Sequence, residues 1–324
     1  MVKIEFCKTA DGYVEERFPA MGTKITQRIV GSQGLLQAGR SKIIELERLL
    51  SFYDPDSDLT QLNQSAGGDW LTLHPITCEV LREARDYCLW TEGAFDATIA
   101  PLVAAWGIGT SHPLIPDPRE IETLLPLVDG ANIELSETGG RLPYKGQGID
   151  LGGIAKGFAA DYLSRFYQSS GTGSGLVNLG GNVLVWGAKS DGSPWRIGIQ
   201  QPGRRRGVYM GYVELAAGCM ASSGAYERNF RCRGRTYGHV LDPRTGYPVV
   251  HDLLGVTVVA KDGVCADALS TAIFVLGLKQ GMQLVNKLES DAVIITRQGT
   301  VFVSMGLKDK FVSCSKEQVF YVGP

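Results

Sequence analysis

Apolar and polar positions alternate along this chain with two different periods. Residues 24–30, KITQRIV, alternate strictly and predict a strand. Residues 41–53, SKIIELERLLSFY, place Ile43, Leu46 and Leu50 on one helical stripe. TCEVLREARDYCLWTEG (77–93) predicts a second helix, with Thr77 as N-cap and Gly93 just past its C-terminus. REIETLLPLV predicts a short third helix stopped by Pro126, after a proline-rich surface excursion over 108–119. Strands follow at 175–187, 194–202, 207–216, 219–225 and 253–260, with turn residues between them. CADALSTAIFVLGL (265–278) predicts a helix, and 292–307 a hairpin around Gln298-Gly299. Helices and strands mix without regular βαβ order, which predicts an α+β fold with mostly antiparallel sheets flanked by helices. There is no internal repeat, low-complexity tract or clean linker, so one domain over 1–324 is expected.

Three segments carry candidate chemistry. In GIDLGGIAKGFAAD (148–161) a strand is expected to end at Ile149 and Asp150, and a helix to start near Ile154 with Phe158, Tyr162 and Phe166 on its apolar face. Glycines let the backbone approach a ligand, and the free N–H groups of a helix start suit phosphate, with Lys156 adding charge. A tight turn with no ligand explains the same residues equally well. Asp267 and Thr271 stand at i and i+4 on one helix face and offer hard oxygen donors, suited to Mg²⁺ or Ca²⁺. Alone, such a pair is more often a cap or a surface feature. His239, in YGHVLDPRTGYPV (237–249), precedes turn chemistry at Asp242-Pro243 and Thr245-Gly246. Alone, it reads as a histidine with ordinary hydrogen bonds.

Composition narrows the function classes. Of 324 residues, 44% are hydrophobic and 20% charged, enough for a well-filled core. A net charge of −2 gives no basic field for nucleic acid or an anionic membrane, and the Arg204–Arg206 run reads as a solvated loop tip. The seven cysteines, at 7, 78, 88, 219, 232, 265 and 314, form no C-x-x-C pair and fit reduced core thiols. The N-terminal residues show no apolar export signal, so a cytoplasmic protein is expected, with an exported mature form left open. Apolar runs such as AIFVLGL (272–278) are too short to span a bilayer.

Taken together and in order, FPAMGT (18–23), LLSFYDPDSDLTQLN (49–63), GAFDATIAPLVAAWG (93–107), IDLGGIAKGFAAD (149–161), LVNLGGN (176–182), SSGAYERNF (222–230), YGHVLDPRTGYPV and ADALSTAIFVLG (266–277) closely resemble the ApbE-type FAD:protein FMN transferases. The resemblance implies a two-lobed α+β fold with FAD in the interlobe cleft. It implies cleavage of the FAD pyrophosphate, transfer of FMN to a threonine or serine hydroxyl of an acceptor flavoprotein, and release of AMP, with help from Mg²⁺ (or Ca²⁺). By the same resemblance Met21 touches FAD, Tyr53 lies against the flavin, and Ala94, Phe95 and Asp96 line the adenosine side. Lys156 and Phe158 lie beside the pyrophosphate and cofactor. The Ala155 carbonyl, Asp267 and Thr271 hold the metal, and Asp267 and His239 are the catalytic residues. The protein is expected to be a monomer or homodimer.

Two positions depart from the family pattern. Asn182 stands where many members have Asp, and Gly238 where Ser commonly precedes the histidine. The rival activities are a Mg²⁺-dependent FAD pyrophosphatase, in which water replaces the acceptor hydroxyl, and a flavin-binding protein without turnover. An aromatic residue at Tyr53 favours transfer over hydrolysis within the family.

Overall fold

Ten strands build the main sheet, and their order across it is their order along the chain: Glu5–Lys8, Val14–Ala20, Thr23–Ile29, Gly175–Leu179, Asn182–Trp186, Gly218–Gly224, Leu253–Ala260, Asp291–Thr296, Val301–Ser304 and Val319–Val322. Neighbours are antiparallel throughout except the last pair, which is parallel. This is the mostly antiparallel α+β fold that the sequence predicts. The structure, a computed structural model, describes residues 4–224, 229–232 and 235–323.

The helices are α1 (Gln33–Leu50), α2 (Asp58–Gln64), α3 (Pro75–Trp90), α4 (Ala100–Ala105), α5 (Pro118–Leu124), α6 (Ala155–Ser169) and α7 (Gly263–Lys287). One face of the sheet, with Ile25, Val177, Leu184, Ala221, Val258 and Ile294, forms the main core with α1, α3, α6 and α7. The other face, with Val183, Val185, Met220 and Val293, packs on a small sheet of Trp195–Gln200, Tyr209–Leu215 and Phe311–Ser313. A central strand is therefore buried on both sides, which is why Asn182–Trp186 is apolar at nearly every position and buried throughout. The Arg204–Arg206 run lies exposed in the turn between the first two strands of the small sheet.

Several boundaries differ from the sequence expectation. Helix α1 starts at Gln33, eight residues before the predicted 41, because Ser32 caps it by accepting from the Leu35 N–H. It stops at Leu50, so Tyr53 lies outside it. His74, not Thr77, is the N-cap of α3, and its ring nitrogen accepts from the Ile76 N–H. Thr77 is buried and donates its hydroxyl to Asp58 (2.7 Å). Residues 149–150 form no strand.

Helix α7 runs to Lys287 rather than ending near 278, with a break at Gly277 (φ +79°). The broken turn leaves the Phe274 carbonyl to be satisfied by His251 Nε2, which must donate, while Nδ1 accepts from the Leu253 N–H (3.1 Å). Among the described residues α7 is the one helix long and apolar enough to cross a membrane, longer than the 272–278 run suggested. Here it fills the core, packed against α6 and the main sheet. Six of the seven cysteines are free thiols, with 78, 88, 219 and 265 buried and 7 and 314 exposed.

Candidate functional site

Helices α6 and α7 meet through two glycines. A methyl group on Gly157 would lie 2.1 Å from the Gly263 carbonyl oxygen, and one on Gly263 would lie 2.4 Å from that of Gly157. Such contact of backbone on backbone requires the absence of a side chain at both positions. Each glycine is followed four residues later by an aspartate, in GFAAD (157–161) and GVCAD (263–267). The carboxylates cross over. Asp267 accepts from the Gly157 N–H (2.9 Å), and Asp161 accepts from the Gly263 (2.6 Å) and Val264 (2.9 Å) N–H groups. Each helix thus supplies the anion that its partner's free N-terminal donors need. Burial pushes the Asp161 carboxyl up to about 6, against the pull of its two backbone donors.

Around Asp267 lies a cluster of oxygens. Its side chain is almost wholly buried, and the Lys156 ammonium stands 4.0 Å away. Ser270 donates its hydroxyl to the Asp267 carbonyl (2.9 Å). The Ser223 hydroxyl, at the end of its strand, lies 2.8 Å from that of Ser270 and 3.3 Å from that of Thr271. Gly153 faces this cluster. A methyl group there would sit 3.3 Å from the Thr271 hydroxyl and 3.2 Å from the Phe95 ring. Sequence inspection passed over Ser223 and Ser270. The signal for Ser270 was its place between Asp267 and Thr271 on one helix.

The loop before α6 is clamped rather than paired in a sheet. The Asn63 carboxamide accepts from the Ile149 N–H (2.7 Å) and donates to the Ile149 carbonyl (2.9 Å). The Asp150 N–H donates to the Ala97 carbonyl (2.7 Å), and the Asp150 side chain accepts from the Gly152 N–H (2.7 Å). Lys156 folds back to donate to the Gly152 carbonyl (2.8 Å). Glycines 152 and 153 therefore sit in a loop tied at both ends, directly ahead of Ala155, the first residue of α6.

The remaining predicted residues are placed as follows. Met21 and Gly22 form a two-residue hairpin turn between paired Ala20 and Thr23, both with positive φ (+51° and +66°). Glu47 of α1 accepts the Met21 N–H (2.6 Å). Tyr53 is 84% exposed, with its ring edge against Phe52. Ala94 and Phe95 are buried. The Asp96 carboxylate accepts from the Thr98 N–H, the Thr98 hydroxyl and the Gly130 N–H (2.8, 2.6 and 2.9 Å) and so anchors the chain locally. A cavity of about 290 Å³ opens beyond it, lined also by Cys88, Gly93, Val128, Pro243 and Arg244, and containing none of the Asp267 cluster.

Phe158 is buried in the core, stacked near Tyr162, and presents no surface to a ligand in this state. His239 is half-buried in the bend after strand Arg235–Gly238. The turn that follows is docked on α4 and α5. Trp106 donates to the Gly246 carbonyl (2.8 Å), and Gly246 abuts Ile121 and Leu102. Residues 225–228 of the SSGAYERNF segment lie outside the described residues.

The two departures also have structural settings. Asn182 is buried, and its Nδ2 has no hydrogen-bond partner among the described residues. Among the described residues nothing lies within 4 Å of where a Gly238 side chain would start, so a serine there meets none of them.

The donors near Asp267 are hard oxygens, which suit Mg²⁺ or Ca²⁺ rather than a softer metal. Among the described residues no three His, Cys, Asp or Glu side chains gather as a metal cage, so any cation here would draw on hydroxyl and carbonyl oxygens beside the single Asp267 carboxylate. Burial pushes Cys88 up to about 12 and Cys265 up to about 11, so both stay protonated at neutral pH and neither is poised as a nucleophile.

The sequence profile described as ApbE family matches residues 21–295. A protein named FAD:protein FMN transferase from Klebsiella pneumoniae (strain 342) is 30% identical over 295 residues, covering 90% of this chain and 92% of its own. One of the same name from Vibrio cholerae is 30% identical, covering 86% of each. Among solved structures, the ApbE protein of Thermotoga maritima superposes with a TM-score of 0.84 at 31% identity, over 92% of this chain and 99% of that one. The flavinyl transferase ApbE of Pseudomonas stutzeri, in its apo form, gives 0.79 at 29% identity, over 97% and 95%.

Proposed function

The chain belongs to the ApbE family, and on that premise we propose that it is an FAD:protein FMN transferase whose reaction centre is the Asp267 cluster. The substrate is FAD, and the acceptor is a threonine or serine hydroxyl of a partner protein. The observation that carries this assignment to a site is the buried Asp267 carboxylate, fixed by the Gly157 N–H on the helix that also carries Ser270 and Thr271, whose hydroxyls cluster with that of Ser223 and, at Thr271, face the clamped loop at Gly153.

Asp267, Thr271 and the Ala155 carbonyl would hold a divalent cation, and their oxygen chemistry fits one. Such a cation, when bound, neutralises charge on the pyrophosphate oxygens and favours departure of AMP. The chain itself does the rest. Glycines 152 and 153 admit the phosphates close to backbone, and Lys156 offers a positive charge. The acceptor oxygen forms a bond to the phosphorus of the FMN half as the bond to the AMP oxygen breaks. His239 takes or orients the acceptor's proton. Incubation with FAD, Mg²⁺ and an acceptor protein should add the mass of FMN less water to the acceptor and release AMP in equal amount. AMP release without modification of any acceptor would point to the pyrophosphatase instead.

Tyr53 tests the choice between acceptor and water. It is largely exposed, with its ring edge against Phe52, and can cover a flavin. Tyr53→Asn should leave cleavage intact but raise the ratio of free to protein-bound FMN by roughly tenfold, the worth of one ~1.4 kcal/mol aromatic contact. An unchanged ratio at saturating acceptor would remove that role.

Met21 tests whether its turn serves FAD. A turn with two positive φ values prefers Asn-Gly, and a long side chain at its first position is strained. Met21→Asn should therefore raise stability by about 1 kcal/mol while weakening FAD binding. The two are read by thermal melting and by FAD titration. A variant that binds FAD as the parent does would leave Met21 with no part in holding FAD.

A further inference from the structure

We propose that Asp161 is a positioning residue for the reaction centre: by holding the first turn of α7 against α6 it sets the direction in which Asp267, Ser270 and Thr271 face. The proposal rests on the metal site proposed above. Helix α7 already has its own cap, because Asp262 accepts the Cys265 N–H (2.8 Å). The two donors that Asp161 takes, from Gly263 and Val264, are the ones that Asp262 leaves. What Asp161 adds is therefore attachment to α6.

The Gly157–Gly263 contact acts as a pivot, since neither glycine carries a side chain that would key the crossing angle. One carboxylate on each helix bridges to the other: Asp161 to the α7 terminus, Asp267 to Gly157. Removing the Asp161 link leaves Asp267, the group that is also needed by the cation, as the hydrogen-bonded tie between the two helices, with apolar packing around it. A small rotation about the pivot then carries all three side chains away from the clamped loop at Gly153. Arg165, one turn along α6, is paired with Glu79 (2.9 Å). The Asp161 charge is thus stabilised chiefly by the α7 backbone donors.

The experiment titrates Mn²⁺ into FAD-loaded protein and follows loss of the free-ion paramagnetic resonance signal, alongside FMN transfer over a Mg²⁺ titration. Asp161→Asn keeps one acceptor but turns an N–H₂ toward the second backbone donor. It should weaken Mn²⁺ binding about 10–100-fold and raise the Mg²⁺ requirement equally. Val213→Ala opens a hole in the core on the opposite face of the sheet and should leave the Mn²⁺ constant unchanged. If Asp161→Asn does not fold, Asp161→Ser retains a capping hydroxyl and takes its place. A folded variant that binds Mn²⁺ within about twofold of the parent overturns the proposal, as does an equal loss in Val213→Ala. Asp267→Asn separates the two levels. If it too binds Mn²⁺ as the parent does, or if the parent binds none, the proposed metal site itself fails.

Discussion

Asp267→Ala is expected to lower FMN transfer by about 10³-fold, with no recovery at high Mg²⁺. The substitution removes the buried anion from the oxygen cluster and leaves Ser223, Ser270 and Thr271, all neutral, in its place. It also orphans the Gly157 N–H, a buried donor whose lost partner costs about 1–3 kcal/mol of stability. Two effects would then be mixed, and Asp267→Asn separates them. The carboxamide oxygen can still accept from Gly157, so most of the stability should return while transfer stays low. Transfer that recovers together with stability in Asp267→Asn would show that the residue only holds the helices together. The measurements are turnover over a Mg²⁺ titration and the midpoint of chemical unfolding for the same three proteins.

Gly157→Ala should have the largest effect on the fold. Alanine is the better helix former by about 1 kcal/mol, so propensity alone predicts a gain. The new methyl group would lie 2.1 Å from a backbone oxygen and 2.8 Å from the Asp267 Cβ. A backbone carbonyl cannot move aside without moving its helix. The clash should therefore win, costing roughly 3 kcal/mol or more and displacing Asp267 with α7. Gly263→Ala, which meets the Gly157 oxygen at 2.4 Å, should behave alike. Gly173→Ala is the control, since nothing lies within 4 Å of its added methyl group. If Gly157→Ala unfolds within 0.5 kcal/mol of the parent, the two helices are not locked at this point.

Much of this was legible from local pattern. The stripe Ile43, Leu46, Leu50 gave α1 its buried face, and Thr23–Ile29 kept the predicted alternation. The start of α3 differs because its cap is unusual, whereas α1 begins eight residues early at an ordinary serine cap, Ser32. His74 serves as an N-cap through a ring nitrogen, which no Ser/Thr/Asp/Asn rule anticipates. The expected helix stops at 278, nine residues short of the end of α7, which continues past the break at Gly277 because His251, far outside the helix, repairs it.

At the site, spacing placed Asp267 and Thr271 on one helix face and the resemblance assigned them a metal. The clasp is different in kind. GFAAD and GVCAD are 106 residues apart, and nothing in either pentapeptide says that its aspartate will reach the other's backbone. Asn63 and Ile149, or Ser223 and Ser270, likewise meet only because the sheet and helices bring them together.

The linear order of strands in the main sheet bears on how the chain assembles. Most neighbours in that sheet are joined by short turns or single excursions, and such pairings can zip up with little loss of chain entropy. One seam is different. Thr23–Ile29 pairs with Gly175–Leu179 across all of residues 30–174, which include α1 to α6. Closing that long loop carries the heaviest entropic toll of any pairing in the sheet. The seam is therefore the natural last step of folding and the first place for the sheet to open. It joins the hairpin that carries Met21 to the strands that follow α6, so amide exchange there should report on ligands that bridge the two halves.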